Sequence, residues 1–269
     1  MRNILVTATL MFLCDGIYAD ATLQFQVRDL AAPNAPVRTQ TLYVKNQRIL
    51  IKAAGGDNRI DILFDETGQT MSIVDHVKHT YLALDEENVS EFANRAEGLV
   101  SAVQEQVAAL PAEQRAQLEQ LLGNSVLGSV ANAETPAPEP KTYVKTGLRQ
   151  VHSIKCQGIE VLKASTKIAE LCVANADAIG IPDADFNTLK AFQVFGERLA
   201  ARASPLAERF GARVPEFGTQ KLDGLPVELK DHSAAGNMVM TVARVATGTI
   251  AEGAMRIPDD YTADRLPSF

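Results

Sequence analysis

Five short apolar runs, separated by polar or glycine-containing turns, occupy the stretch from Thr39 to Asp85. Within a run such as Ile60–Asp65, apolar and polar residues alternate with a period of two, which predicts a strand with one buried face. Each turn is short enough to return the chain beside the strand it has just left. We therefore expect an antiparallel meander that acts as the scaffold of the fold. The predicted turns are 46–47, 55–58, 66–69 and 76–79.

Strand patterns also occur on both sides of this meander. An alternating run precedes it at Thr22–Val27, and β character resumes after residue 141. We expect these strands to extend the sheet. The later candidates are Thr142–Ile154, a hairpin over Lys155–Ala174, Leu225–His232 and Met238–Ala246.

Two blocks change to the 3.6-residue period of an amphipathic helix. The first is a helical insertion at 88–122, with Asn88 as its N-terminal cap, and the second spans 183–210, with Asp183 as its cap. Between the first helical block and the next strand, the proline-rich segment 124–141 is expected to be flexible. These patterns predict an α+β protein with one domain over residues 20–269.

The N-terminus has the pattern of a secretory signal peptide. Arg2 precedes an apolar run, and small residues follow at Ala19 and Ala21, so we predict a signal peptide over 1–19 and a periplasmic or secreted protein. Cleavage after Ala21 is the alternative to cleavage after Ala19. A second alternative is a lipoprotein acylated at Cys14, although Leu13 stands where such a signal needs a small residue. The apolar run is too short for a permanent transmembrane segment.

Removing Cys14 with the signal peptide leaves Cys156 and Cys172 in a compartment that permits disulfides. If Lys163-Ala-Ser165 forms a three-residue hairpin loop, Cys156 lies directly opposite Cys172, at a spacing that a disulfide accepts. We predict one disulfide, with two free buried thiols as the alternative.

The charge and the absence of known motifs argue against several classes of function. A formal net charge of −7, without a basic run, argues against nucleic acid as a partner. No nucleophile elbow, phosphate-binding loop or zinc-protease motif occurs, so hydrolase and nucleotide-binding functions are unsupported, but they stay open because a catalytic triad is assembled in space and not in sequence. We predict no enzyme, no catalytic residue and no cofactor. The weak candidates for a metal site are His76 and His79 beside Asp75, and the alternative is two solvated histidines in a turn.

Several short motifs, in their order along the chain, resemble a family of exported bacterial proteins of unknown function. That family is similar in fold to the LolA/LolB-type lipoprotein carriers. The resemblance implies a half-open antiparallel β-barrel of about eleven strands with helices over its concave face, and it implies no catalytic residue. The motifs are Leu42–Arg48, Ile62–Asp65, Ile73–Asp75 with Lys78–Tyr81, Pro111–Arg115, Cys156–Val161 and Glu170–Val173.

These observations lead to two hypotheses about function. The first is an exported, non-enzymatic envelope protein that binds or carries an apolar ligand, such as an acyl chain, a lipid or a lipoprotein segment, inside the half-barrel. The second is a structural or protein-interaction module with a solid core and no ligand, because apolar helix stripes usually pack as core. In the first hypothesis the ligand-lining residues are Phe92, Leu99, Phe186, Leu189, Phe192 and Phe195.

Overall fold

The computed structural model describes residues 20–32, 34–54, 59–114, 117, 140–209, 218–233 and 237–266. These residues form an α+β half-barrel, in which one large open sheet is covered by helices on its concave face. The strands are β1 Asp20–Asp29, β2 Arg38–Lys45, β3 Arg48–Lys52, β4 Ile60–Asp65, β5 Thr70–Asp75, β6 Thr80–Leu84, β7 Lys141–Val151, β8 Ile154–Lys163, β9 Thr166–Ala174, β10 Leu225–Asp231, β11 Met238–Gly248 and β12 Thr262–Asp264. The helices are α1 Glu86–Ala109, α2 Ala176–Ile179 and α3 Asp183–Arg209, with 3₁₀ turns at Thr219–Lys221 and Glu252–Met255.

The sheet has twelve strands in the order β12-β6-β5-β4-β3-β2-β1-β11-β10-β9-β8-β7. Neighbouring strands are antiparallel except at one edge, where β12 pairs in parallel with β6. The predicted antiparallel fold is therefore confirmed, with one strand more than the resemblance implies. The additional strand is β12, which is only three residues long and completes the edge of the sheet.

The meander forms because its turns suit the twist of the strands. Between β2 and β3, Lys45 pairs with Arg48, and both residues of the intervening turn, Asn46 and Gln47, have positive φ angles of 49° and 60°. A two-residue turn with both residues in this region matches the right-handed twist of a hairpin. The predicted turn at 46–47 is thus confirmed, and it fixes the register of the first meander strands.

The hairpin that carries the cysteines has a different register from the predicted one. Lys163 pairs with Thr166 across a two-residue loop, and an irregularity between Val161 and Leu162 adds a further residue to β9. Together these place Cys172 opposite Gly158 instead of Cys156. The two cysteines nevertheless form a disulfide diagonally across the strands, with their Cα atoms 5.4 Å apart. The predicted pairing is confirmed, and the predicted loop length is wrong.

Both long helices lie on the same side of the sheet, and their starts differ slightly from the predictions. Helix α1 begins at Glu86, because Asp85, not Asn88, is its N-terminal cap. The side chain of Asp85 accepts a hydrogen bond from the amide of Asn88 at 2.8 Å, and the Asn88 side chain accepts one from the amide of Asp85 at 3.1 Å. In α3, the predicted cap Asp183 lies in the first turn of the helix instead of before it.

The sheet has two faces, which we call the helix face and the outer face. On the helix face, side chains such as Leu23, Val44 and Phe64 pack against α3 in the main core. On the outer face, Leu50 packs with Ile250 and Met255 of the segment that follows β11. A further cluster around Val161, Leu171 and Leu229 lies on the outer face of strands β8, β9 and β10. The sheet is therefore partly covered on both sides.

Several predictions from the sequence, including the turn at 55–58, fall wholly or partly outside the described residues. The signal peptide over 1–19 lies outside them, as does nearly all of the proline-rich segment 124–141, of which Lys141 begins β7. The second helix of the insertion is helical at the positions that are described, 112–114 and 117.

Candidate functional site

The phenylalanine stripe of α3 packs directly on the helix face. Phe195 is fully buried, and its ring centroid lies 5.3 Å from that of Phe64 on β4. Phe192 is half-buried, with its ring centroid 5.4 Å from that of Phe64. Leu189 is buried and Phe186 is half-buried in the same core cluster. The structure thus brings together the four predicted ligand-lining residues of α3.

The two predicted ligand-lining residues of α1 lie in a more open setting. Phe92 is half-buried, whereas 45% of Leu99 is exposed. The start of α1 is fastened to α3 by Glu86, whose carboxylate lies 2.7 Å from the Arg198 Nε atom. The helix face therefore has a closed part under α3 and a more accessible part along α1.

A pocket of about 480 Å³ lies on the outer face, at strands β1, β2, β3 and β11. Two neighbouring rows of paired residues form its floor. One row crosses the sheet as Ala246, Thr22, Tyr43 and Leu50, and the next crosses it as Arg244, Gln24, Thr41 and Lys52. Thr41 is the only member of these rows that does not line the pocket. The segment 247–251 and Ala254 supply the other walls.

The pocket combines apolar walls with two cationic side chains. Tyr43, Ala246 and Ala251 keep apolar surface exposed in the pocket, beside the buried side chains of Leu50 and Ile250. Lys52 and Arg244 are both exposed, and neither has an ion-pair partner among the described residues. Their backbones are three strand spacings apart, which is about 14 Å, so both long side chains can extend over the floor. On a chain with net charge −7, this arrangement suits an anionic group attached to an apolar body.

The segment that closes the pocket is held by a network of hydrogen bonds at the start of β1. The carboxylate of Asp20 accepts hydrogen bonds from the Lys45 Nζ atom at 3.1 Å and from the amide of Ile250 at 2.7 Å. Lys45 also donates to the carbonyl oxygen of Ile250 at 2.8 Å. The hydrogen bond to Asp20 is the main reason why the pKa of Lys45 is raised. These bonds fix the chain after β11 over the sheet.

The sequence contained a signal for this pocket, although the patterns did not predict it. Tyr43 and Leu50 fall at positions of β2 and β3 that the alternation assigns to the polar face. Two large apolar side chains on such a face indicate that something covers it. The covering segment follows β11, about 200 residues later in the chain, so no local pattern links the two.

His76 and His79, the weak candidates for a metal site, both contact the C-terminal segment. The ring nitrogens of His76 lie 3.0 Å from the Asp61 carboxylate and 2.8 Å from the Tyr261 hydroxyl. The ring of His79 stacks on Tyr261, with centroids 5.0 Å apart. Asp75 accepts hydrogen bonds from the amides of its own turn, chiefly that of Lys78, which lower its pKa. Within the described parts of the chain, no group of three potential metal ligands occurs.

Tyr261 therefore fastens the edge strand β12, and its replacement tests this role. We expect Tyr261→Ala to abolish the hydrogen-exchange protection of the β12 amides, because the ring stacking and the bond to His76 are both lost. Tyr261→Phe keeps the stacked ring and should lose only about 1 kcal/mol of local stability, the usual net contribution of one hydrogen bond. Unchanged protection in Tyr261→Ala would mean that strand pairing alone holds β12.

The described helices include none that is long and apolar enough to cross a membrane. No protein-family model matches the chain, and no curated protein matches it. The solved structures that are similar to this chain include the following two, both of low identity. An uncharacterized conserved protein from Thermus thermophilus is 7% identical over 93% of this chain and 92% of its own, with a TM-score of 0.43. PNGF-II is 6% identical over 92% of this chain but only 31% of its own, with a TM-score of 0.40. The resemblance to the LolA/LolB-type carriers stays a prediction.

Proposed function

We propose that this chain is an exported, non-enzymatic envelope protein that binds an apolar ligand carrying an acidic group, such as a fatty acid or an acidic lipid. The observation that carries the proposal is the outer-face pocket, in which apolar walls meet two cations without partners among the described residues. A volume of about 480 Å³ lies within the range of small-molecule sites. The predicted signal peptide over 1–19 supports an envelope location.

The cations and the apolar walls have separate roles in this proposal. Arg244 and Lys52 bind the acidic group, because a guanidinium or ammonium pairs with carboxylate or phosphate through charge-assisted hydrogen bonds. Tyr43, Ala246 and Ala251 bind the apolar body through the area that it removes from water. A ligand without the acidic group would keep only the second contribution.

A fluorescent fatty acid and its methyl ester test both roles. We expect replacing Lys52 and Arg244 together by Ala to weaken binding of the acid at least about tenfold, as each lost charged hydrogen bond removes about 1.5–3 kcal/mol. Binding of the ester should change little. The matched control replaces Lys155 and Lys163 of β8, which are also exposed and change the net charge equally. Equal weakening in the control variant would show that the loss of binding results from the changed net charge and not from the loss of these two side chains.

A blocking variant locates the ligand. Ala246 is exposed and lines the pocket, so Ala246→Trp fills the space without removing a core side chain. We expect it to abolish binding, while Ala263→Trp on β12, which is also exposed, should bind normally. Loss of binding in Phe192→Leu but not in Ala246→Trp would instead place the ligand under the helices, as the sequence predicts. Native mass spectrometry of the purified envelope protein would show any lipid that it retains.

The second candidate function is a structural or interaction module without a ligand. It is favoured by the contacts of Phe64 with Phe192 and Phe195, because these rings fill the middle of the helix face with the protein's own side chains. Under this candidate no fatty acid binds and no lipid is retained. The two measurements above therefore separate the candidates.

A further inference from the structure

The carboxyl group of Asp185, in the first turn of α3, is buried beside the start of β1. Only 8% of the residue is exposed, and its Oδ2 atom has no hydrogen-bond partner among the described residues. The backbone amide of Ala21 lies beside the carboxyl group and acts to lower its pKa. Burying a carboxylate with one oxygen unsatisfied costs folding free energy, so a partner for this oxygen is expected.

The electrostatic surroundings of Asp185 disfavour its charge. Burial, and then the negative charge of Asp20, raise its pKa to about 6, and the nearby Ala21 amide opposes this increase only partly. Asp20 is itself paired with Lys45, which also lies 3.6 Å from Glu252, so that cation is already engaged. No Lys, Arg or His in the described parts of the chain forms an ion pair with Asp185. Among the described residues, no positive group compensates the charge of the Asp185 carboxylate.

We propose that Asp185 is a binding site for the α-ammonium group that cleavage after Ala19 creates on Asp20. A peptidase hydrolyses the Ala19–Asp20 bond with one water molecule, which leaves a carboxylate on Ala19 and an amine that takes up a proton on Asp20. Successive residues of a strand are about 3.4 Å apart, so the new ammonium arises one residue from the amide that already contacts Asp185. It brings three donors and a positive charge to the unsatisfied oxygen.

This inference rests on the export part of the proposed function, and it favours one of the two cleavage sites. Cleavage after Ala21 would remove the Asp20 carboxylate that holds Lys45 and Ile250. It would also remove the Ala21 amide that contacts Asp185. Cleavage after Ala19 keeps these bonds and adds an ion pair. Processing then stabilises the mature fold relative to the precursor.

Two forms of the protein test the pairing. One is released from a cleavable N-terminal fusion so that Asp20 is the first residue, and the other carries Gly-Ser before Asp20, which moves the ammonium away. At pH 7 we expect the first form to melt about 3–8 °C higher. The difference should be smaller at pH 5. The pKa of Asp185 is about 6, so at pH 5 most of this side chain is protonated in the folded extended form. The extended form then no longer bears the full cost of a buried, unpaired carboxylate.

Asp185→Asn is the control variant, because it keeps the shape of the side chain and removes its charge. In this background the two forms should melt within about 1 °C of each other. The pKa of the Asp20 α-amine, followed by NMR, should lie above the ordinary range of about 7.7–8.0 in the unmodified chain, and inside it in Asp185→Asn. Equal melting of the two forms at pH 7, or a difference that survives in Asp185→Asn, would overturn the pairing.

N-terminal sequencing of the exported protein tests the processing step by itself. We expect Asp20 as the first residue, and a different first residue would overturn the proposal even if the recombinant forms differ. Fatty-acid binding measured on the same two forms reports on the proposed function separately. The ammonium pairing and the fatty-acid binding can therefore fail independently, and these experiments show which of the two has failed.

Discussion

Replacing Phe195 by Ala is expected to lower the free energy of unfolding by about 3–5 kcal/mol, the usual cost of removing a buried aromatic ring. The side chain is fully buried, and its ring contacts that of Phe64 at the centre of the main core. Truncation leaves a cavity between α3 and the sheet that neighbouring side chains fill only in part. Urea unfolding with linear extrapolation measures the loss.

Phe186→Ala is the matched control for this prediction, because it removes the same ring from the same helix at a half-buried position. Its expected cost is smaller, since less apolar surface returns to water. A loss below about 1 kcal/mol in Phe195→Ala would show that the face under α3 is loosely packed. That result would favour the ligand position that the sequence predicts.

Removing the disulfide is expected to destabilise the protein by about 3 kcal/mol, since the bond closes a loop with a sequence separation of 16. The variant replaces both Cys156 and Cys172 by Ala, so that no free thiol remains in the core. Calorimetry or denaturant unfolding of the oxidised protein and of the double variant gives the difference.

The wild-type protein in reductant supplies the control for the disulfide prediction. It should unfold with nearly the stability of the double variant, because both lack the cross-link in the unfolded state. A thiol count on the denatured, unreduced mature protein should find no free thiol. Equal stability of the oxidised and reduced proteins would contradict a stabilising role for the bond.

The local parts of the fold could be predicted from the sequence because local interactions determine them. The turn at Asn46-Gln47 is a polar break of two residues, of which Asn tolerates positive φ, and the strands beside it alternate with a period of two. The helical period of α3 was similarly visible in the spacing of Phe186, Leu189, Phe192 and Phe195. These features depend only on residues that are close to one another in the sequence.

The register of the cysteine hairpin and the position of the pocket could not be predicted in this way. An additional residue in β9 shifts the pairing, and whether a strand contains such an irregularity depends on packing across the sheet. The pocket forms where β1, β2 and β3 meet β11 and the segment after it, which lie about 200 residues apart in sequence. Similarly, His76 and His79 contact Tyr261, so their role depends on where the C-terminus packs.

The sequence by itself determined the antiparallel meander from Thr39 to Asp85, the two amphipathic helical blocks and the pairing of Cys156 with Cys172, because periodicity, turn chemistry and cysteine count are local or countable properties. Only the tertiary structure decided which face of the sheet α3 covers, what closes the outer face and which charges remain unpaired. Lys52, Arg244 and Asp185 look like ordinary surface residues in the sequence. Asp185 is distinguished by its burial and by an Oδ2 atom without a hydrogen-bond partner among the described residues. The two cations are distinguished by their position at the pocket. Both properties depend on contacts between distant segments.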